Sequence, residues 1–591
     1  MEAHTPSLHE ACRTGEIEDV RRLLDESPSL LNRPDLTNGC SPLHHAAFGG
    51  QADVVEELLG RGAIVDSRDR SGSTPLHYAA FAGASVIART LMDAEADPAA
   101  RNDSLTTVLH TAARGGMRDL VEELLDRGFD SDTRNLYGET PLHHAAQSNR
   151  LGVVRLLVER GATIDPADRY LLTPIHKAAI GGAVEVLEWL ADRGGSLDAG
   201  DLLGDTALHC ASSMGRTETV GWLLEHGAAV DSGNAEGATP LHAAARSGAV
   251  DTIEALLSHH ADPNASDTLG RTPLHVAAAS GKTEALSPLI DAGSRLDTTD
   301  AERNAPSDLA ATHGRDSAHR TLTERGAPGR IEPSAMRSLV ARPPTPGELV
   351  VWYLGNSGWA IRTASQFLIV DYAPGADEEG GSLLNGRIVP DELPDLPVTV
   401  LVSHHHADHF SPRILEWAND LDARFVFGWD ARLETPGHRF AGPGEATVGD
   451  VRVSAIPSTD SGSAFLIEAG GFRVYHAGDH AANETPPDET FTKGIEDLAA
   501  RFAPVDVSFL PVFGCGLPSV ESLRAGNDLT IRRLAPRVVF PMHVGWTGHF
   551  YREEKHRLEA QGFRGDVVAA SEPGDRWLYR DGRVRAVPLG G

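Results

Sequence analysis

Thr74-Pro75-Leu76-His77-Tyr78-Ala79-Ala80 is one copy of a motif that recurs through the first half of the sequence. Its histidine returns every 33 residues, at His44, His77, His110, His143, His176, His209, His242 and His275. A constant interval of this size is typical of solenoids, in which each repeat is one supersecondary unit. The motif therefore predicts a stack of similar units that bury their apolar faces against one another.

Each unit is expected to contain two helices. Thr74 suits the N-cap position and Pro75 the first helical position, where a missing N–H costs nothing. After His44, apolar residues at 54, 55, 58 and 59 predict a second helix, which Gly62 ends in the left-handed conformation. One such unit cannot bury its own apolar face, so neighbouring units must stack.

A glycine occupies the same place as Gly62 in most of the other units. The glycines in this register are Gly62, Gly128, Gly161, Gly194, Gly227, Gly293 and Gly326. Two units carry Glu95 and His260 there instead. We expect those two units to end less cleanly, at a cost of up to about 1 kcal/mol each.

The pattern resembles ankyrin repeats over residues 4–327, which implies an all-α solenoid of about ten units. In that family the motif histidine is structural and bonds backbone between neighbouring turns. We therefore interpret these histidines as scaffold and not as metal ligands. The resemblance also implies an unnamed protein partner bound by the repeats. The alternative is an intramolecular arm that covers or positions the second half.

Composition narrows the possible partners and compartment. The 591-residue chain has a formal charge of −31, which argues against nucleic acid because phosphate neutralisation needs clustered Lys and Arg. Its four cysteines are too scattered for a disulfide framework, as expected in a reducing compartment. The N-terminus is polar, and no apolar run approaches the roughly 18 residues of a membrane span. These features predict a cytoplasmic protein without a membrane span.

The repeat pattern stops after Gly326, and residues 328–346 have the proline-rich composition of a linker. Residues 347–591 alternate short apolar runs with helical stretches, which predicts a separate α/β domain. The predicted helices include 412–421 and 523–534. The predicted strands are Leu349–Leu354, Phe367–Val370, Val398–Val402, Val451–Ile456, Phe465–Ile467, Val507–Leu510 and Val538–Phe540.

The strongest chemical signal in this second half follows the strand Val398–Val402. It reads Ser403-His404-His405-His406-Ala407-Asp408-His409. Imidazole and carboxylate are ligand types that Zn²⁺ and similar metals take. A loop at the end of a strand holds such ligands on a rigid base while they still face a crevice. The segment therefore predicts a metal site.

This motif resembles the first metal motif of the metallo-β-lactamase superfamily, which implies an αββα sandwich over 347–591. The resemblance implies that His404 and His406 bind one metal, that Asp408, His409 and His543 bind a second, and that Asp479 bridges them. Asp371 resembles an early Asp that supports the site. The segments Tyr353–Gly358 and Pro511–Gly516 resemble the branch of ascorbate-6-phosphate lactonase-like hydrolases.

One expected ligand is missing from the sequence. The family usually supplies a third His for the first metal, but Ile456–Gly462 contains none. Asp460 is one replacement, and an oxygen ligand would suit Mn²⁺ or Fe²⁺ better than Zn²⁺. The alternatives are that Asp460 is a turn residue, or that a single tightly held metal suffices.

The predicted chemistry is hydrolysis of an ester, lactone or phosphodiester by a metal-bound hydroxide. Asp408 is expected to hold the nucleophile and take its proton. His476 either donates a proton to the leaving group or acts as a hydrogen-bond partner behind the metals. The substrate pocket is expected to include Asn356, His480, Cys515 and Trp546.

The alternative function is an ankyrin-based interaction scaffold with a vestigial metal domain. A decayed domain would be expected to lose several ligands, and only the third His is missing. The sequence therefore favours a metal-dependent enzyme.

Overall fold

A computed structural model describes most of the chain. The described residues are 7–35, 38–301, 303–329, 344–355, 358–372, 396–403, 423–428, 437–440, 442–457, 463–478, 489–511, 520–542, 555, 557–568 and 576–586. The chain divides into two compact units, Met1–Asp262 and Pro263–Gly591. In the described part, no helix is both long enough and apolar enough to cross a membrane.

The described repeats form ten helix pairs, as the 33-residue interval predicts. Eight pairs lie in the first unit, and two open the second. The first helices of the pairs, α1 to α19 in odd numbers, are Leu8–Thr14, Pro42–Phe48, Pro75–Ala82, Val108–Gly115, Pro141–Gln147, Pro174–Gly181, Ala207–Ser213, Pro240–Ser247, Pro273–Ala279 and Pro306–Thr312. The second helices, α2 to α20, are Ile17–Glu26, Ala52–Gly60, Ser85–Asp93, Arg118–Asp126, Leu151–Glu159, Val184–Ala191, Thr217–Glu225, Val250–Ser258, Thr283–Asp291 and Asp316–Glu324.

In seven of the described repeats, the motif histidine bonds to the repeat that follows. The Nδ1 atom of His77 accepts the Thr74 backbone N–H at 3.2 Å and lies 2.9 Å from the Thr74 hydroxyl. Because Nδ1 accepts, Nε2 carries the proton and donates to the Thr106 carbonyl of the next repeat at 3.1 Å. The same bonds form at His44, His110, His143, His176, His209 and His275. The predicted structural role of these histidines is confirmed.

A second polar series runs at the same interval and escaped the sequence analysis. In each turn between repeats, an Asp or Asn side-chain oxygen accepts the backbone N–H four residues ahead, as Asp168 does from Leu172 at 2.9 Å. This bond closes the turn that leads into the next first helix. The series is Asp69, Asn102, Asn135, Asp168, Asp201, Asn234, Asp267 and Asp300. Counting Asp and Asn by steps of 33 would have found it.

The two departures from the glycine register adopt the backbone that glycine normally supplies. Gly62 has φ 88°, while Glu95 and His260 have φ 67° and 68°. Side chains rarely take this left-handed conformation, so both positions are strained.

Within the described residues, the α/β part forms two sheets from strands β1 to β15. These strands are Glu348–Gly355, Gly358–Arg362, Phe367–Val370, Val398–Val402, Arg424–Phe427, His438–Arg439, Gly444–Val448, Val451–Pro457, Ser463–Ala469, Phe472–His476, Val507–Pro511, Val538–Met542, Asp566–Val567, Arg576–Arg580 and Arg583–Ala586. The first sheet has the order β15-β14-β1-β2-β3-β4-β5-β6 and the second β13-β12-β11-β10-β9-β8-β7. Helices α21 (Glu489–Phe502) and α22 (Val520–Leu534) accompany the second sheet.

The two sheets pack face to face around aromatic side chains. Trp359 of β2 lies with its ring centroid 4.7 Å from that of Phe509 in β11 and 5.1 Å from that of Phe540 in β12. Helices α21 and α22 pack on each other and on the second sheet, through β8 and β11. This arrangement is the mixed α/β layering that the sequence predicts. The helix predicted at 412–421 and residues 330–343 of the predicted linker lie outside the described residues.

Candidate metal centre at the strand ends

Parallel strands bring chemically informative segments to one edge of each sheet. In the first sheet β3, β4 and β5 are parallel neighbours, so Asp371, Ser403 and Gly428 follow their strands at the same edge. In the second sheet β10, β11 and β12 are parallel neighbours, and their chains leave at Ala477, Pro511 and Met542. Crevices at the carboxyl ends of such strands are where α/β sheets bind ligands.

Backbone contacts around Ser403 join these two edges. The Ser463 N–H, at the start of β9, donates to the Ser403 carbonyl at 3.0 Å. Gly428, after β5 of the first sheet, and Gly478, after β10 of the second sheet, both lie close to Ser403. A Cβ atom at Gly428 would lie 2.1 Å from the Ser403 carbonyl oxygen, and one at Gly478 would lie 3.1 Å from the Ser403 Cβ. Glycine is therefore required at 428, where any side chain would collide with backbone.

The Asp371 side chain holds Ser403 in place. Its carboxylate is fully buried and accepts the Ser403 backbone N–H at 2.7 Å and the Ser403 hydroxyl at 2.6 Å. Asp371 itself has φ 49°, a left-handed conformation that is uncommon for a residue other than glycine. Strain of this kind persists where surrounding contacts hold it, and it is concentrated at functional sites. The contacts are those of a residue that braces the loop after β4.

His476 ends β10 in a fully buried position. Its Nδ1 accepts the Gly478 backbone N–H at 3.1 Å and lies 3.6 Å from Asp371 Oδ2, which is beyond hydrogen-bond length. This contact holds the turn at Gly478, and the two roles predicted for His476 remain predictions.

The predicted ligands themselves lie outside the described residues, but several adjoin these strand ends. His404 follows Ser403, Asp479 follows Gly478, and His543 follows Met542. The predicted ligands and pocket residues that fall outside the described part are His404, His406, Asp408, His409, Asp460, Asp479, His543, Asn356, His480, Cys515 and Trp546. Their roles remain predictions. The bracing roles of Ser403 and Gly428 were missed, and only Ser403 stood inside a motif.

Comparison with known proteins gives two family matches. The model of ankyrin repeats (3 copies) matches residues 8–102, 99–168, 175–267 and 241–331. The model of the beta-lactamase superfamily domain matches residues 350–543. The solved human ASB11 ankyrin repeat domain is 25% identical, covers 38% of this chain and 99% of its own, and has a TM-score of 0.35.

Curated relatives match the second half. A UPF0173 metal-dependent hydrolase of Pyrococcus abyssi is 28% identical over 211 residues, which cover 33% of this chain and 83% of the relative. One of Thermococcus onnurineus is 27% identical, with the same two coverages of 33% and 83%. The chain therefore belongs to the ankyrin repeat proteins and carries, at residues 350–543, a beta-lactamase superfamily domain that is similar to the UPF0173 metal-dependent hydrolases.

Proposed function

We propose that the α/β half is a metal-dependent hydrolase that acts on an ester, lactone or phosphodiester. The observation that carries this proposal is the meeting of two sheet edges at Ser403, which Asp371, Ser463, Gly428 and Gly478 hold in place. Three of the strand ends along these two edges lead directly into predicted metal ligands. The relatives named metal-dependent hydrolases support the same activity.

The donor set fits a divalent metal. Histidine and aspartate side chains follow the strand ends, while the Asp371 carboxylate is already engaged by two donors from Ser403 and so suits a brace better than a ligand. We propose that His404, His406, Asp408, His409, Asp479 and His543 hold one or two ions. Zn²⁺ is the first choice, and an oxygen ligand from Asp460 would favour Mn²⁺ or Fe²⁺.

When bound, such a metal supplies an activated water at neutral pH. With the metal bound, Asp408 would orient the water and accept its proton, and His476 holds the turn at Gly478 that leads to Asp479. Asn356, His480, Cys515 and Trp546 are proposed to line the substrate pocket. Excluding bulk water from this edge would strengthen each electrostatic contact with the substrate.

The repeats are proposed to bind a protein partner or to position the hydrolase. We also propose a cytoplasmic location, which the three described cysteines support because Cys12, Cys40 and Cys210 are all free and buried. Reduced thiols of this kind are usual in a reducing compartment.

A panel of ester, lactone and phosphodiester probes tests the proposal with the full-length protein. Hydrolysis is expected to be chelator-sensitive, restored by metal, and lost together with the metal of the α/β half when His404→Ala and Asp479→Ala are combined. Activity that survives this double change would refute the site. Normal metal content with no hydrolysis on the whole panel would instead favour an interaction scaffold with a vestigial metal domain.

A further inference from the structure

Three positions in each repeat lie at the base of the turn, and in some repeats their side chains converge. They are the Asp or Asn that closes the turn, the residue four positions before the motif histidine, and the residue just after that histidine. In the third repeat they are Asp69, Ser73 and Tyr78. The Ser73 N–H donates to Asp69 Oδ1 at 2.8 Å, and the Tyr78 hydroxyl donates to Asp69 Oδ2 at 2.8 Å. Hydrogen bonds alone satisfy this group.

The second repeat has metal-binding side chains at all three positions: Asp35, Cys40 and His45. Asp35 Oδ2 lies 2.8 Å from His45 Nε2, and the ligand atoms of all three residues lie within 4.8 Å of one another. The Asn38 and Gly39 backbone N–H groups donate to Asp35 Oδ1 at 2.7 and 3.0 Å, which fixes the carboxylate. Within the described part of the chain, no other three His, Cys, Asp or Glu side chains bring their ligand atoms this close together.

An Asp–His contact at these two positions is not by itself evidence of a metal site, because the fold repeats such pairs for structural reasons. Lys177 lies 3.3 Å from Asp168 in the corresponding positions of its repeat. The buried thiol is what distinguishes the second repeat. Asp201, Asp205 and Cys210 also combine acids with a thiol, but Asp205 accepts a hydrogen bond from Asn234 at 2.8 Å and those three do not converge.

Thiolate, imidazole and carboxylate together form a donor set that suits zinc and its neighbours in the first transition row. A tetrahedral zinc holds its ligand atoms roughly 3.3–3.8 Å apart, so closure needs shifts of about 1 Å. Three protein ligands leave the fourth position for water. His9 packs its ring against His45 with centroids 5.1 Å apart, which covers one side of the group.

The protonation states of the group are compatible with binding. Burial alone would raise the pKa of Asp35, but the hydrogen bonds from His45, Asn38 and Gly39 outweigh it and bring that pKa to about 2. Asp35 is therefore an anion at neutral pH. Burial raises the pKa of the Cys40 thiol, so an ion that binds there must release its proton.

We propose that Asp35, Cys40 and His45 form a transition-metal site of the zinc class in the repeat array, distinct from the centre proposed in the α/β half. A bound ion would tie the turn that carries Asp35 and Cys40 to helix α3, which carries His45. The site would thus stabilise the start of the repeat array.

Cobalt titration of the metal-free, full-length protein tests this proposal. Co²⁺ bound to a thiolate gives a sulfur-to-metal charge-transfer band, which ligands of the histidine and aspartate type cannot give. We expect the band in the wild type and its loss in Cys40→Ser. His45→Tyr should weaken the binding that gives this band by at least about tenfold. Both changes introduce residues that the third repeat already carries at the same positions, Ser73 and Tyr78, so the fold should tolerate them.

Thiols elsewhere provide the controls. Cys210→Ser and Cys515→Ser should leave the band unchanged, and circular dichroism should show the helical content of every variant. No thiolate band in the wild type, or a band that survives Cys40→Ser, would overturn the proposal. So would unchanged cobalt affinity in a folded His45→Tyr variant.

Discussion

Asp371 binds Ser403 twice, with one carboxylate oxygen on the backbone N–H at 2.7 Å and the other on the hydroxyl at 2.6 Å. Both residues are fully buried. Ser403 is the residue just before His404, so this pair sets where the predicted metal loop departs from its strand. Residues that orient ligands from behind in this way contribute strongly to metal affinity.

Asp371→Asn should therefore weaken the proposed metal centre. An amide keeps one acceptor for the Ser403 N–H, but its NH₂ group can only donate to the Ser403 hydroxyl, so that bond is reversed and both bonds lose the carboxylate charge. We expect metal affinity to fall by roughly 10- to 100-fold, with a parallel loss of hydrolysis. Metal content after dialysis against a graded series of chelator concentrations measures the effect.

Asp506→Asn is the matched control. Asp506 accepts the Arg473 backbone N–H at 2.9 Å and the Tyr579 hydroxyl at 2.8 Å, so it also braces two elements of the same domain. It precedes β11, at the opposite end of that strand from Pro511. It should cost stability and leave metal affinity unchanged. Equal metal loss in both variants would make the role of Asp371 general stability.

The sequence revealed some of the strands that are buried on both faces. Phe367–Val370 and Val398–Val402 are predominantly apolar runs, and the structure has strands with those same bounds. The strand Gly358–Arg362 is also buried throughout, but it was missed. The strand Gly444–Val448 was missed because its residues are largely exposed and form no apolar run. It forms by pairing with Val451–Pro457, and no local apolar pattern encodes that pairing.

The sequence predicted the ligand types of the candidate site but not the residues that hold its loops in place. Histidines and aspartates close together in sequence identify metal chemistry. The Asp371–Ser403 pair spans 32 residues and depends on the parallel register of β3 and β4, which places Val370 beside Leu401. The close approach at Gly428 likewise depends on how β5 lies beside β4.

Glu95→Gly and His260→Gly should each stabilise the repeat array. Both residues occupy the left-handed conformation, with φ 67° and 68°. Relief of that strain outweighs the entropy that glycine adds to the unfolded chain, so a net gain of roughly 0.5–1 kcal/mol is expected. Urea unfolding of the full-length protein, followed by its helical signal, measures the gain.

Gly128→Ala serves as the reverse control for this pair. Gly128 has φ 89°, and a Cβ atom there would meet nothing within 4 Å. Any loss must then come from the backbone conformation, and we expect about 1 kcal/mol. A neutral Gly128→Ala would show that this place in the repeat carries no strain.

Lys177→Met should be strongly destabilising. Lys177 Nζ lies 2.6 Å from Glu139 and 3.3 Å from Asp168, and all three side chains are at most 16% exposed. Burial alone would raise the pKa of Glu139, but its contacts with His144 and Lys177 outweigh this and lower that pKa. Removal of the cation leaves buried carboxylates uncompensated, at a cost of about 3–5 kcal/mol.

Adding Glu139→Gln to Lys177→Met separates charge from packing. The double variant no longer buries the Glu139 charge, so it should recover part of the loss. Urea midpoints of the two single variants and the double variant give the coupling free energy. A strictly additive result would mean that the ion pair contributes nothing beyond the size and shape of its side chains.

Acid should destabilise the array through its buried histidines, and His110→Gln should reduce this sensitivity. Burial and then the neighbouring His144 lower the pKa of His110 to about 3, against a backbone hydrogen bond to Glu139 that raises it. Below about pH 6.5 His110 is protonated in the unfolded chain, but in the native protein it stays neutral down to about pH 3. The effect of His110 on stability is therefore absent above pH 6.5, and the free energy of unfolding falls between these limits by up to about 2 kcal/mol at pH 5.

Urea unfolding at pH 7 and pH 5 should show a smaller fall in the free energy of unfolding for His110→Gln than for the wild type. His143, with a pKa lowered to about 4, still responds to acid in both proteins. Equal drops would mean that His110 binds its proton alike in the folded and unfolded chains.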